Sequence, residues 1–253
     1  MDTTIDKKEI EFFSKFTKEW WDIEGPLSAL HKLTDSRVKF ILRNTSRIAV
    51  KNNFYPLSGL KCIDIGCGGG ILSERLKRLG GTITGIDISK KAINVAIEHA
   101  NKSKLDIHYE SISTSSYLKK YKNVKFDVVI ASEVIEHVDN RMEFLSDLSK
   151  IVKENGLVVL TTLNKSITSI IIGKFVAENI LKIVPKGSHD IEKFVAPEKL
   201  IQEAKEFDIF FDDLTGFSPT FTLSSIIEKK IHSFKTTSYP IINYGIAGLK
   251  VTQ

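Results

Sequence analysis

Short apolar runs alternate with stretches of helical spacing from residue 60 onward. This alternation is typical of βαβ units, in which helices cover both faces of a parallel sheet. The apolar runs predict seven strands, at 60–65, 82–87, 106–110, 126–131, 156–162, 208–214 and 243–251. Helices are predicted at 71–79, 90–102, 139–153 and 197–206. The pattern therefore predicts an α/β fold with a mostly parallel seven-stranded sheet flanked by helices.

Two helices are predicted ahead of the sheet, within residues 5–50. The second runs from Asp35 to Val50, with its apolar positions on one side. The first is amphipathic, and its aromatic residues recur at three- and four-residue spacing: Phe12, Phe13, Phe16 and Trp20. We interpret these rings as packing on the main body of a single domain, 1–253.

A glycine-rich turn follows the first predicted strand and opens a helix. Because Gly66, Gly68 and Gly70 lack Cβ atoms, they allow a tight turn and a close approach of the backbone to a ligand. The second strand ends in Asp87, 17 residues after Gly70. A carboxylate at that distance accepts hydrogen bonds from ribose hydroxyls in nucleotide-binding folds. The loop and the acid together favour a cofactor site over a glycine turn without a ligand.

Two classes of cofactor bind at a loop of this kind, and the spacing of its glycines and the residue before it help to distinguish the two. A dinucleotide site has the spacing GxGxxG, whereas this chain has GxGxG preceded by Asp64. A carboxylate there repels a diphosphate but suits the sulfonium and ammonium groups of S-adenosylmethionine, directly or through water. The chain here resembles the class I methyltransferases, which implies a Rossmann-like fold and S-adenosylmethionine as cofactor. A nicotinamide-dependent oxidoreductase is the alternative from another class.

Four polar residues follow the fourth predicted strand, at Ser132, Glu133, Glu136 and His137. In an open α/β sheet the ligand crevice lies at the carboxyl ends of the strands. Glu133, Glu136 and His137 have i, i+3, i+4 spacing, so a helical turn would place them on one face. They are candidate metal ligands and candidate catalytic residues, with His137 as a general base. Alternatively, the glutamates complement a helix N-terminus and His137 packs nearby.

Motifs spread over nearly the whole chain carry a narrower resemblance. They are Trp20-Trp21-Asp22 with Gly25, Leu30-His31, Asp35 to Val38, Asp64 to Leu72, Gly85 to Asp87, Glu133 to Val138, Thr162 to Asn164 and Val184 to Asp190. With these motifs the chain resembles the ubiquinone-biosynthesis O-methyltransferase family. The resemblance implies methylation of hydroxyl groups on a polyprenylated aromatic ring at both O-methylation steps. Another small-molecule methyltransferase using S-adenosylmethionine is the alternative within the class.

The resemblance also implies site residues, position by position. It places cofactor contacts on Arg37, Gly66, Asp87 and Ser132. Some relatives have Met where this chain has Ser132, so a backbone contact is expected there. It places Mg²⁺ ligands on Glu133, Glu136 and His137, although His is an unusual ligand for magnesium. Ser111 and Ile112 are expected at the adenine edge, and His189 is a second candidate base.

Charge and composition limit the classes of binding partner that are expected. The formal net charge of +5 is spread along the chain, and no NPPY-type or DPPY-type tetrapeptide is present, so no nucleic-acid partner is expected. Two cysteines and an acidic N-terminal segment fit a cytoplasmic protein.

An apolar insert at 164–187 is rich in isoleucine and contains several lysines. Lysines facing anionic headgroups and isoleucines entering the interface would bind a membrane surface. A helical lid on the core is the alternative. The polyprenylated substrate implied by the resemblance favours the membrane, so we expect peripheral association with its inner face and an association with other quinone-biosynthesis enzymes. A catalytically idle membrane scaffold is a third hypothesis.

Overall fold

The computed structural model describes residues 19–25, 27–49, 54–165, 194–227 and 231–251. The strands among these are β1 (Lys61–Ile65), β2 (Thr82–Asp87), β3 (His108–Ser111), β4 (Phe126–Ser132), β5 (Val152–Leu163), β6 (Ile209–Thr220), β7 (Ser233–Thr237) and β8 (Asn243–Lys250). They form one sheet in the order β3-β2-β1-β4-β5-β8-β6-β7. β1 to β5 run parallel, whereas β8 is antiparallel to β5 and β6, and β7 is antiparallel to β6. The predicted mostly parallel α/β class is confirmed.

Helices cover both faces of the sheet. They are α1 (Ser28–Thr45), α2 (Ile71–Arg78), α3 (Lys90–Lys102), α4 (Thr114–Lys120), α5 (Arg141–Ile151), α6 (Pro197–Lys205) and α7 (Leu223–Ile227). One core cluster joins α5 and α6 to the sheet, and a second joins α1 and α2 to the opposite face. The side chains of Ser89, Ser113 and Asn140 accept backbone N–H groups and so begin α3, α4 and α5.

The prediction of seven strands is wrong by one, because the sheet has eight among the described residues. The additional strand, β7, lies at an edge and pairs only with β6. Each of its residues is exposed or half-buried, so it leaves no apolar run in the sequence. The boundaries also differ: α1 begins at Ser28 rather than residue 35, and β5 begins at Val152 rather than 156.

Ion pairs join the last turn of α1 and the turn that follows it to a bulge in β6. The pairing of β6 with β8 shifts register between Phe211 and Asp213. The extra residue at a bulge lets consecutive side chains reach the same side of a strand. Asp212 accepts from Arg47 at 2.7 Å, and Asp213 accepts from Arg43 at 2.6 Å. These partly exposed contacts add to the apolar packing that holds α1 on the sheet.

Several predicted features lie outside the described residues. They are the aromatic positions Phe12, Phe13 and Phe16, most of the insert at 164–187, and His189. Of the predicted N-terminal aromatic stripe, Trp20 is described, and it is 5% exposed. No helix in the described part of the chain is long and apolar enough to cross a membrane.

Candidate cofactor and active site

An open cavity of about 240 Å³ lies at the carboxyl ends of β1, β2 and β4. One wall comes from α1, which contributes Leu30, Thr34 and Arg37. The structure brings eight of the predicted site residues to this cavity: Arg37, Asp64, Gly66, Gly68, Asp87, Ser132, Glu133 and His137. Gly70 and Glu136 do not line it, and they lie behind the lining residues.

The glycine loop has the backbone conformation that its sequence predicts. Gly66 and Gly68 have φ values of 68° and 53°, in the left-handed region where side chains are disfavoured. The N–H of Gly68 donates to Asp87 Oδ2 at 2.9 Å, and the N–H of Ser89 donates to Oδ1 at 2.7 Å. Burial raises the pKa of Asp87, and these two N–H groups oppose that shift. The loop therefore fixes the carboxylate expected to meet ribose.

Gly70 acts in the turn and not at the cavity surface. Its φ is 85°, and it directly precedes α2. A Cβ atom at this position would lie 2.5 Å from the hydroxyl of Tyr109 and 3.1 Å from Ala96. A side chain there would therefore clash with neighbours beneath the loop.

Asp64 is a buried carboxyl group that faces the cavity. It is 1% exposed, and Ser73 Oγ donates to its Oδ2 at 2.5 Å. Burial raises the pKa of Asp64 to about 7, while the Ser73 hydroxyl and the Arg37 charge act in the opposite direction. A buried acid that titrates near neutrality suits a cationic ligand, whose charge would favour the ionised form.

Arg37 supplies the positive charge of the cavity. It is 3% exposed, and its Nη2 lies 3.0 Å from Glu133 Oε1. Its Nε has no hydrogen-bond partner among the described residues. Buried polar groups are nearly always paired in native structures. An under-bonded guanidinium beside a cavity therefore suits a ligand carboxylate.

Glu133 is held by residues from three other elements. Its φ of 55° is left-handed, and its N–H donates to the carbonyl of Thr161 at 2.8 Å. Oε1 contacts Arg37 and accepts from Thr161 Oγ1 at 2.9 Å, while Oε2 accepts from Asn243 Nδ2 at 2.9 Å. Sequence reasoning missed Thr161 and Asn243, because only the pairing of β4, β5 and β8 brings them to Glu133.

Glu136 and His137 lie in a single 3₁₀ turn, Ile135–His137, which Glu133 precedes. Glu136 is 4% exposed and accepts from Thr162 Oγ1 at 2.8 Å. Burial, with a smaller contribution from the Glu133 charge, raises the pKa of Glu136 to about 7. His137 borders the cavity. The α-helical turn that would place all three side chains on one face is therefore absent.

The predicted magnesium ligands do not form a metal site as they are placed. Across the described ranges, no three His, Cys, Asp or Glu side chains are arranged to hold an ion. Both carboxylate oxygens of Glu133 are already bonded to protein groups. The arrangement does not fit the ion, and the magnesium assignment stays a prediction from the resemblance.

Sequence reasoning missed other parts of the cavity wall. Trp20, which we predicted to be core packing, covers the glycine loop from the cavity side. A Cβ atom at Gly68 or Gly69 would lie 2.5 or 2.7 Å from its ring. The turn after β3 contributes Ile112, as expected for the adenine edge, together with Ser113 to Ser115, whereas Ser111 does not line the cavity. The capping serine at the start of α4 was an available signal for that wall.

Comparisons with known proteins agree on one class. A family model described as a methyltransferase domain matches residues 63–160. The ubiquinone biosynthesis O-methyltransferase of Pelagibacter ubique is 40% identical over 242 residues, which are 95% of this chain and 96% of that protein. The mitochondrial ubiquinone biosynthesis O-methyltransferase of Rattus norvegicus is 41% identical over 201 residues, 78% of this chain and 58% of that protein.

A solved structure supports the fold. Magnesium protoporphyrin IX methyltransferase from Synechocystis PCC 6803, with bound S-adenosylhomocysteine, matches with a TM-score of 0.65 at 17% identity. The match covers 97% of this chain and 100% of that chain. At this identity the likeness concerns the fold alone.

Because Arg37 and Glu133 interact, substitutions of these two residues should have coupled effects on the free energy of unfolding. We expect Arg37→Met to lower the free energy of unfolding by about 1–3 kcal/mol, less than the about 3–5 kcal/mol for breaking a buried pair. The effect is smaller because Glu133 keeps two hydrogen bonds and is 23% exposed. Urea unfolding of both single variants and of Arg37→Met/Glu133→Gln measures this. The free energy of unfolding of the double variant should fall by less than the sum of the decreases in the two single variants. Strict additivity of these decreases would contradict the coupling.

Proposed function

The chain belongs to the ubiquinone biosynthesis O-methyltransferase family, and from this we propose that it methylates hydroxyl groups of polyprenylated catechol or hydroquinone intermediates. The methyl donor is S-adenosylmethionine. We propose further that the same cavity serves both O-methylation steps of the pathway. Both reactions present a ring hydroxyl to the same donor, so one set of cofactor contacts and one base suffice.

The single observation that carries the proposal is the charge pattern of the cavity. Asp64, Asp87 and Arg37 all border it. S-adenosylmethionine carries a sulfonium, an ammonium, a carboxylate and a ribose. Asp64 suits the cationic groups, Arg37 the carboxylate and Asp87 the ribose hydroxyls. A nicotinamide dinucleotide would place two anionic phosphates at the glycine loop near Asp64, which argues against the oxidoreductase alternative.

The chemistry needs alignment and removal of one proton. When bound, S-adenosylmethionine supplies an electrophilic methyl carbon on a sulfonium sulfur. The C–S bond breaks as the C–O bond forms, and the hydroxyl proton must pass to a base. We propose His137 as that base, because it borders the cavity whereas the more deeply buried Glu136 does not. Glu136 would stabilise the protonated imidazole, since its charge interacts with His137.

Glu133 has a different role in this proposal. Its bonds to Arg37 and Asn243 hold the segment that carries Glu136 and His137 against the sheet. We assign it to alignment of the base, and we derive no step through a metal ion because the placed side chains do not fit one.

We also propose that the protein binds a membrane surface through 164–187, at the inner face of the cytoplasmic membrane, where it would meet other quinone-biosynthesis enzymes. The described residues next to this segment support the idea. Asn164 donates backbone and side-chain hydrogen bonds to the turn at Pro240–Ile242. The β7–β8 connection, which contains that turn, exposes Tyr239 and Ile241, and the β6–β7 connection exposes Phe221 and Leu223.

Binding and turnover should separate in site variants. We expect Glu136→Gln and His137→Ala to bind S-adenosylhomocysteine within a few fold of the unaltered protein. We expect turnover to fall by about 10²–10⁴-fold in His137→Ala, the usual range for loss of a general base, and to fall less in Glu136→Gln. Calorimetry measures binding, with NADH as the comparison ligand, and transfer of labelled methyl to a prenylated catechol measures turnover. Full turnover in both variants would refute the catalytic assignment, and binding of NADH instead would refute the class.

Asp64 predicts a pH dependence of cofactor affinity. Its raised pKa of about 7 means that it is mostly neutral below that pH and charged above it. Affinity for the cationic cofactor should therefore increase as pH rises through about 7, by at most about ten-fold per pH unit. Asp64→Asn should remove this increase. The ammonium of the ligand titrates equally in both proteins, so the difference between their profiles isolates Asp64, and identical profiles would contradict its role.

Membrane binding predicts vesicle flotation. The protein should float with vesicles of phosphatidylcholine and anionic phosphatidylglycerol, and less with phosphatidylcholine alone. Ile170→Ser/Ile171→Ser should weaken flotation by about ten-fold or more, since each buried isoleucine contributes about 1.5–3 kcal/mol. Ile97→Ser is the matched control, because Ile97 is 39% exposed on α3, far from the insert in sequence. Equal flotation of both variants would count against the assigned surface.

A further inference from the structure

The two tryptophans of the chain are neighbours, and only one of them lines the cavity. Trp20 covers Gly68 and Gly69. Trp21 is stacked on His99 of α3, with ring centroids 3.4 Å apart and planes 2° apart. Its Nε1–H also donates to the carbonyl oxygen of Gly69 at 3.1 Å. Trp21 thus contacts the glycine loop from outside the cavity.

A buried carboxylate supports this stack from behind. His99 Nδ1 lies 2.6 Å from Glu74 Oε1, and Glu74 is 1% exposed on α2. Arg78 Nη2 lies 3.5 Å from the other oxygen of Glu74. Stacking fixes the plane of the imidazole, and the bond to Glu74 fixes its rotation. The position of Trp21 is therefore set by two helices that both pack beside the loop.

We propose that Trp21, His99 and Glu74 are positioning residues that hold Trp20 against the glycine loop and so set the affinity for the cofactor without touching it. Trp20 and Trp21 are consecutive, so a shift of Trp21 moves the cavity wall. His31 Nε2 lies 2.8 Å from the backbone carbonyl oxygen of Trp20. Gly68, under the Trp20 ring, donates to Asp87, which links the wall to the ribose carboxylate. The inference rests on the proposed function.

The experiment compares Trp21→Phe and His99→Gln with the unaltered full-length protein. Trp21→Phe removes the donor to Gly69, and His99→Gln removes the stack while an amide can still bond Glu74. We expect each to raise the dissociation constant for S-adenosylhomocysteine about 5–50-fold, corresponding to the loss of one or two modest contacts. The KM for S-adenosylmethionine should rise in parallel, with kcat at saturating cofactor within about two-fold. Glu98→Gln is the matched control, an exposed α3 carboxylate paired with Lys102.

Fluorescence supplies a readout that a purely structural role would not change. In Trp21→Phe the remaining tryptophan is Trp20, so tryptophan emission and its quenching by acrylamide report only on the part of the cavity wall that Trp20 forms. Adding His99→Ala to this variant should increase quenching of Trp20, while Glu98→Gln should not. Circular dichroism and the thermal midpoint show whether each variant is folded.

Two results would overturn the inference in distinguishable ways. The positioning role would be overturned if folded variants bound S-adenosylhomocysteine like the unaltered protein and acrylamide quenched Trp20 to the same extent. The proposed function would remain intact in that case. An unaltered protein without affinity for S-adenosylhomocysteine would overturn the proposed function and the inference with it. If His99→Gln does not fold, it is replaced by Glu74→Gln, which keeps a polar partner for His99 Nδ1 and should likewise raise the dissociation constant.

Discussion

The arrangement of the site depends on the hydrogen bonds and the ion pair of the Glu133 carboxylate. This carboxylate joins α1, β5 and β8 to the end of β4 through Arg37, Thr161 and Asn243. A left-handed φ of 55° is unfavourable for a residue with a side chain, and the bonds to these three partners offset that cost. Because the next residues along the chain include Glu136 and His137, fixing Glu133 also fixes the candidate base.

The electrostatic balance of the cavity follows from burial. Asp64, which lines the cavity, and Glu136, which lies behind it, are almost fully buried, and desolvation raises the pKa of both to about 7. Arg37 is the only lysine or arginine among the described lining residues. A cavity with several acids and one guanidinium favours a ligand that carries more positive than negative charge near the acids. S-adenosylmethionine satisfies this condition, whereas a diphosphate does not.

The sequence predicted those parts of the fold and site that depend on local pattern. The glycine loop, Asp87 and the strand before Ser132 are all specified within a few residues, and the structure brings them together as expected. Thr161 and Asn243 could not be predicted, because apolar periodicity shows which face of a strand is buried but not which polar side chain lies opposite. Trp20 was predicted as buried, correctly, yet burial alone does not distinguish a core ring from a cavity wall.

Most residues that line the cavity lie within the segment that matches the methyltransferase family model, but Trp20 and three residues of α1 lie outside it. The matched segment, 63–160, contains the glycine loop and the acids that meet it. Trp20 and Arg37 precede it, and Asn243 follows it, yet all three contact its residues. Helix α1 reaches the cavity because its apolar side, with Phe40 and Ile41, packs on the sheet. The common segment can therefore supply most of the cofactor contacts, while the flanking residues add Trp20 and Arg37 to the cavity wall and hold Glu133. Differences between families of this fold should lie in these flanking residues.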